Sequence, residues 1–287
     1  MGASQKGLSD MNSIERDSYR TITGGVLGHQ NILGIRTSII TTYLLLFSPC
    51  ILLFLPIDTV ARLGEEEGPV ENAGALSFLF AATIFLVTAY RSSEQGRQCG
   101  ANHIESPLAL YALGALLLVC FGEEISWGQG LFHYPVPAWL KALNLQGEWN
   151  LHNLVWFHAQ TVEGAEKSFW ARLIDMQRLL AIFQLTLCTL VPMLTAYSAT
   201  IRTWTARVGI PIVPWWIAGL MPVHFLVSQT LYAISGDQQI LGNTLDETKE
   251  TVRAFIFLVV AIWAYIQIAS TSVSAGVRPS HAASGHK

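Results

Sequence analysis

The chain has 287 residues, 51% of them hydrophobic and 13% charged, with a mean hydropathy of +0.40 and a net charge of −3. A soluble domain carries about a quarter charged residues, so this chain is too poor in charge to face water on every side, and its composition indicates an all-α integral membrane protein. No clustered basic surface is visible, which argues against nucleic acid as a partner.

Residues 1–36 form a polar N-terminal tail of mixed charge. The first apolar run begins near Ser38, too late for a cleavable secretory signal, so the first span is expected to act as an uncleaved anchor. A helix needs roughly 20 mostly apolar residues to cross the hydrocarbon. Six stretches qualify, at 38–58, 71–91, 107–127, 176–198, 212–234 and 252–272, within a transmembrane helical domain covering 37–273. From Thr271 the chain turns rich in Ser, Ala, Gly and His, and the tail over 274–287 is expected to be disordered.

With both termini on one side, Lys6, Arg16, Arg20, Arg36, Arg91, Arg97, Arg202, Arg207, Arg278 and Lys287, ten of the seventeen Lys and Arg, share it. The positive-inside rule makes that side cytoplasmic, consistent with a multi-pass protein of a bacterial inner membrane. All acidic residues except Asp10, Glu15, Asp17, Glu94 and Glu105 then fall at the outer side. Any localised function is expected there.

Several span ends carry capping patterns. Gly68-Pro69 opens the second span with Glu71 in its first turn, facing the positive end of the helix dipole, and Ser106-Pro107 reads as an N-cap followed by proline. Thr244 with Glu247 three residues on is a capping box expected to open the last span. Cys50, Cys120 and Cys188 lie inside spans and Cys99 in a short polar loop, without disulfide or zinc spacing. Trp139, Trp149, Trp156, Trp170, Trp215 and Trp216 fit interfacial belts.

The third span ends on Gly-Glu123-Glu124-Ile-Ser126-Trp127-Gly-Gln129, which leaves two carboxylates about one turn inside the apolar slab. An ionisable group there needs a partner, a cation or a water-filled cavity, and the default reading is a functional site. Adjacent carboxyl groups also suit acid-base work. On a continuous helix Glu123, Ser126 and Trp127 share a face; the structural alternative is a helix ending at Gly122, or glutamates paired with Arg172 or Arg178.

Between the third and fourth spans lies Asn144-Leu-Gln146-Gly-Glu148-Trp-Asn150-Leu-His152-Asn153. In an extended chain its polar residues would align on one side and lie over the bundle. Alternatively, Asn150 caps an interfacial helix from Leu151 to about Arg172, with His152, Glu163 and Glu166 on one face. Glu123, Glu124, Glu148 and His152 are the candidate catalytic groups, and Ser126, Gln129, Asn144, Gln146, Asn150 and Asn153 the candidate substrate-binding ones. The residue types also suit a divalent cation, although no metal signature is present and His152 and His158 would diverge on a helix. His224, near the middle of the fifth span beside Pro222, is read either as a proton relay or as a neutral partner of Gln184.

The GEEISWGQ and NLQGEWNLHN runs, with Glu67-Gly68 and Glu71 before them, resemble the signature of a family of uncharacterised bacterial multi-pass membrane proteins, over roughly 60–155. That resemblance implies the membrane architecture and no activity. A weaker likeness is to the membrane-embedded prenyl-endopeptidase and bacteriocin-processing family. Glu123-Glu124 matches its glutamate pair, Gly128 replaces its arginine, and His224 only partly matches its later histidines. The alkaline-ceramidase-like hydrolases match less, since their paired late histidines are absent. The expectation is a membrane-embedded hydrolase or transferase acting on a lipid-linked substrate, with a proton-coupled transporter or channel and a non-catalytic scaffold or assembly subunit as rivals.

Overall fold

A computed structural model describes residues 29–65, 68–99, 107–158, 161, 165, 167–172, 174–236 and 238–276. Among these the regular structure is helical, with one isolated antiparallel bridge between Asn144 and Leu154. The chain divides into two units, Met1–Leu44 and Leu45–Lys287. The described part of the first is helical and belongs to α1 (His29–Leu46), in which the Thr42 hydroxyl bonds back to the Ser38 carbonyl at 2.8 Å.

The stretch expected as the first span is broken. After α1 the chain forms a 3₁₀ turn over Ser48–Phe54, becomes extended at Leu55 and restarts as α2 (Ile57–Leu63). Pro49 and Pro56 account for the breaks, because neither supplies the N–H that a continuous helix requires.

Among the described residues four helical stretches are long and apolar enough to cross a membrane: Pro69–Glu94, Met176–Tyr197, Trp215–Ser235 and Gln239–Ala269. A fifth results if Leu108–Glu124 and Ser126–Phe132, bent by 65° against each other, count as one span. The main helices are α3 (Pro69–Cys99), α4 (Leu108–Glu124), α5 (Met176–Leu185), α6 (Val191–Tyr197), α7 (Ala199–Val208), α8 (Leu220–Ser235) and α9 (Gln239–Gly276).

The bundle is organised on α3 and α9, which pack along each other, with α4 on α3 and α8 on α9. Ala75, Ala81, Ala82 and Ala89 of α3 and Ala254, Ala261 and Ala264 of α9 are buried, and small side chains of this kind let helices approach closely where no hydrophobic force drives them together. Phe78 and Phe257 fill the space between, their ring centres 6.3 Å apart, and Thr251 of α9 donates to the Val70 carbonyl of α3 at 2.7 Å.

Several helix ends differ from expectation. Pro69 does open α3, with Glu71 in its first turn. Cys99 is the last residue of that helix rather than part of a loop. Pro107 itself occupies the cap position of α4, and Ser106 lies outside the described residues.

The largest shift is in α9, which starts at Gln239, so Thr244 and Glu247 lie inside the helix and do not cap it. The Thr244 hydroxyl instead donates to the Val60 carbonyl at 3.0 Å and to Ile240 at 3.1 Å. Gly64 fits against this residue only because it lacks a side chain, since a Cβ there would stand 2.8 Å from the Thr244 Cα. The N-terminal part of α9 thus braces α2, around a cluster of Leu52, Val60, Leu231, Leu241 and Leu245. At its other end α9 continues through Gly276, beyond the Thr271 expected to begin the tail, and residues 277–287 lie outside the described residues.

A π turn over Thr186–Leu190 joins α5 to α6 ahead of Pro192, whose missing N–H favours such an irregularity. Pro222 accompanies a break between Trp215–Ala218 and α8, and the Ala218 carbonyl that it cannot bond accepts from the Thr189 hydroxyl at 2.7 Å.

Candidate functional site

The site is built on the end of α4, whose last two residues are Glu123 and Glu124. Beyond them Ser126, Trp127 and Gly128 take left-handed conformations, with φ of 45°, 52° and 86°, and redirect the chain. Such a conformation costs a non-glycine residue about 1–3 kcal/mol and persists only where surrounding contacts hold it. Here the Tyr134 hydroxyl donates to the carbonyls of Trp127 at 2.9 Å and Ser126 at 3.2 Å.

The turn folds the Trp127 indole back over Gly122, where a Cβ would come within 2.9 Å of the ring. From there the indole N–H donates to Glu123 Oε1 at 2.7 Å. Ser126 and Trp127 are therefore not on one helical face with Glu123, as a continuous helix would require, although Trp127 still reaches it.

Glu123 Oε2 accepts the backbone N–H groups of Leu151 at 2.5 Å and His152 at 2.9 Å, and lies 3.5 Å from His152 Nδ1. This carboxylate is buried and clamps the loop after Gly147 onto α4. A second tie links the same parts: Ser126 Oγ donates to Glu148 Oε2 at 2.5 Å, and Asn150 Nδ2 reaches Glu148 Oε2 at 2.9 Å and Ser126 Oγ at 3.0 Å. Gln129 Oε1 adds a third by accepting from Trp149 N at 2.7 Å.

The asparagines hold the loop itself. Asn144 Oδ1 accepts from the backbone N–H groups of Gln146 at 3.0 Å, Gly147 at 2.8 Å and Glu148 at 3.2 Å, while its amide donates to Asn150 O at 2.9 Å and Oδ1 at 2.8 Å. Asn153 donates to Gln146 and meets His158 Nε2 at 3.2 Å. The loop closes with Leu145 N to Asn153 O at 2.9 Å and Val155 N to Leu143 O at 2.8 Å.

Neither conformation expected from the sequence forms. Gln146 is exposed while Asn144 and Asn150 are buried, as a compact turn requires and a one-sided strand does not. Asn150 caps no helix, since Leu151–His158 is turns and one 3₁₀ turn, and Glu163 and Glu166 lie outside the described residues. Burial pushes the His158 imidazole below its ordinary range, with Asp175 opposing the shift.

Glu124 faces elsewhere. It lines an apolar cavity of about 390 Å³ walled by Phe78, Leu116, Val119, Leu179, Leu180 and Phe183, with Glu123, Glu250, His152 and Gln177 as polar neighbours. The charges acting on Glu124 are Glu250, Glu247 and Glu71, with Arg253 opposing them. Asp175, by contrast, caps α5 by accepting from Arg178 N at 3.0 Å.

Arg253 is a residue that the sequence reading missed as a site component. Only 4% exposed within a candidate span, it donates to the Gln177 carbonyl at 3.0 Å, while its own carbonyl accepts from Gln184 at 2.7 Å. The signal lies in its position directly ahead of the apolar run 254–266 and just after the charged residues at 246–250. Gln184 therefore points to Arg253 and is not the partner of His224, whose Nδ1 is buried with no hydrogen-bond partner among the described residues.

Glu148 does not line the apolar cavity. It borders a second, polar pocket of about 240 Å³ with Ser126, Gln129, Gly130, His133 and Tyr134. The structure thus holds Glu123 with His152 and, in a second set, Ser126 with Glu148 and Asn150, and places Glu123 and His152 at one cavity and Ser126 and Glu148 at another. Among the described residues no group of three or more His, Cys, Asp or Glu is placed to hold a metal ion. Comparisons of the chain with protein-family models, curated proteins and solved structures gave no match.

Proposed function

We propose that the chain is a membrane-embedded hydrolase or transferase acting on a lipid-linked substrate, with Glu124 as its acid-base group. One observation carries the reading: the roughly 390 Å³ cavity has apolar walls and gathers Glu123, Glu124, Glu250 and His152. Ligand pockets of this kind hold about 300–1,000 Å³, mostly apolar, with a few convergent polar groups. An alkyl chain fits the walls and its polar junction meets the carboxylates.

In this mechanism the Glu124 carboxylate takes a proton from water or an acceptor hydroxyl, whose oxygen attacks the substrate; Glu124 then returns the proton to the leaving oxygen. Glu123 serves as a positioning residue, because both its oxygens are occupied by Trp127, Leu151 and His152. His152 stands beside it at the cavity wall.

The proposed setting has six spans with both termini cytoplasmic in a bacterial inner membrane, and the segment after α4 lying at the outer interface. Exposed Leu131, Phe132 and Trp139 support that placement.

Proton-coupled transport is the second reading, favoured by buried His224, on which the charges of Arg253 and Lys249 act. The test is lipid and metabolite profiling of a deletion strain carrying wild type, Glu124→Gln or His152→Ala. Enzymatic function predicts an accumulating lipid-linked species that wild type clears and Glu124→Gln does not. Full rescue by both variants removes the catalytic reading, and normal profiles with a His224-dependent proton flux favour transport.

A further inference from the structure

The polar pocket beside Glu148 has no part in the acid-base step, and its lining describes a ligand of its own. About 240 Å³ is below the ~300–1,000 Å³ typical of drug-sized ligands, so the occupant is one small group. Five of the six lining residues carry hydrogen-bonding side chains: Ser126, Gln129, His133, Tyr134 and Glu148.

Their existing bonds decide what is left over. Glu148 receives Ser126 and Asn150 on Oε2, so Oε1 remains as an acceptor. Gln129 uses its carbonyl oxygen on Trp149 N, which leaves the amide N–H groups as donors. Tyr134 gives its hydroxyl proton to the backbone and keeps its oxygen lone pairs. His133 is exposed, held at φ 54°, and adds a ring that donates or accepts.

Acceptors and donors are therefore both left on one small volume, with a single carboxylate and no Lys or Arg in the lining. A phosphate or carboxylate ligand would meet Glu148 with like charge and no compensating cation. Neighbouring hydroxyl groups, each both donor and acceptor, match the set. Trp149, edge-on to Tyr134 with centroids 6.2 Å apart, adds an aromatic rim beside them.

We propose that this pocket binds a small, uncharged polyhydroxylated group, a sugar or glycerol unit, either free or as the head of a lipid. The proposal goes beyond the lipid-linked reading and does not depend on it, because Glu124 does not line this pocket.

The experiment uses the full chain in phosphatidylcholine nanodiscs. One arm measures saturation transfer from protein to free glucose and glycerol by NMR. The other measures hydrogen-exchange protection of residues 126–134 when galactosyl diacylglycerol replaces diacylglycerol in the disc. Saturation transfer identifies a free polyol as ligand, and protection by the glycolipid alone identifies a lipid head.

In either arm His133→Gly should weaken binding about tenfold. Glycine accepts the left-handed backbone without strain, so that variant removes the ring and keeps the turn. Gln129→Glu, which puts a second carboxylate in the pocket, should weaken it further. Glu124→Gln should bind as wild type does, which separates failure of this proposal from failure of the acid-base assignment. Absence of signal in both arms, or equal binding by wild type, His133→Gly and Gln129→Glu, overturns the proposal.

Discussion

Glu123 and Glu124 are adjacent on one helix end and belong to two different regions of the molecule. Glu123 looks toward the 144–158 loop and is consumed by it, with an indole and two backbone N–H groups on its oxygens. Glu124 looks toward α5 and α9, where apolar walls, Glu250 and Arg253 surround it. The same carboxylate is a structural anchor in one setting and a candidate reactive group in the other, and the neighbours decide which.

The sharpest way to break this comparison is to exchange the two phenotypes. Glu124→Gln should leave thermal stability near wild type while lowering turnover of the lipid-linked substrate by about 10²-fold or more, the usual contribution of a general acid-base group. Glu123→Ala should do the reverse in origin: removing a buried, triply bonded carboxylate costs about 3 kcal/mol and opens the loop. Hydrogen exchange of the Leu151 and His152 amides reads that opening directly. If Glu123→Ala leaves those amides protected, the anchor role is wrong.

A smaller effect tests the support behind the anchor. Gly122→Ala places a methyl against the Trp127 ring and should cost about 1–2 kcal/mol, with a shift in tryptophan emission as the indole moves. The smallest concerns acid. Burial lowers the folded-state pKa of His158, so the unfolded loop binds the proton more readily. Stability contributed by neutral His158 is complete above the ordinary histidine pKa of about 6.5 and is lost as pH falls below it. Loop exchange should quicken on mild acidification in wild type and change less in His158→Gln.

Much of this architecture was legible from residue patterning. Apolar stretches located α3, α4, the α5–α6 span, α8 and α9, and the two glutamates marked the end of α4 on which the candidate site is built. What escaped depended on long-range partners. Thr244 and Glu247 satisfy a local capping pattern, yet packing against Val60 and Gly64 extends α9 past them. Arg253 stands where the expected start at 252 placed it, at the edge of the apolar run, and its bond to the Gln177 carbonyl is what the local pattern does not show. Two prolines broke the first expected span, a local effect that hydropathy does not weigh. The loop's amide residues were rightly grouped, but Asn144 and Asn150 bond to the loop's own backbone, and nothing in their alternation distinguishes that from reaching a substrate.

The buried Arg253 also bears on how the protein is made. An arginine at the edge of an apolar run costs less on insertion than the about 2.5–3.5 kcal/mol of one at the centre of a span. The charge acting on it most is that of Glu250 in the same helix, with Asp246 of α9 and Glu124 of α4 behind it, while its side chain donates to the Gln177 carbonyl of α5. The arginine thus enters the membrane with a counter-charge on its own helix and meets the Gln177 carbonyl, made earlier in the chain, when α9 packs.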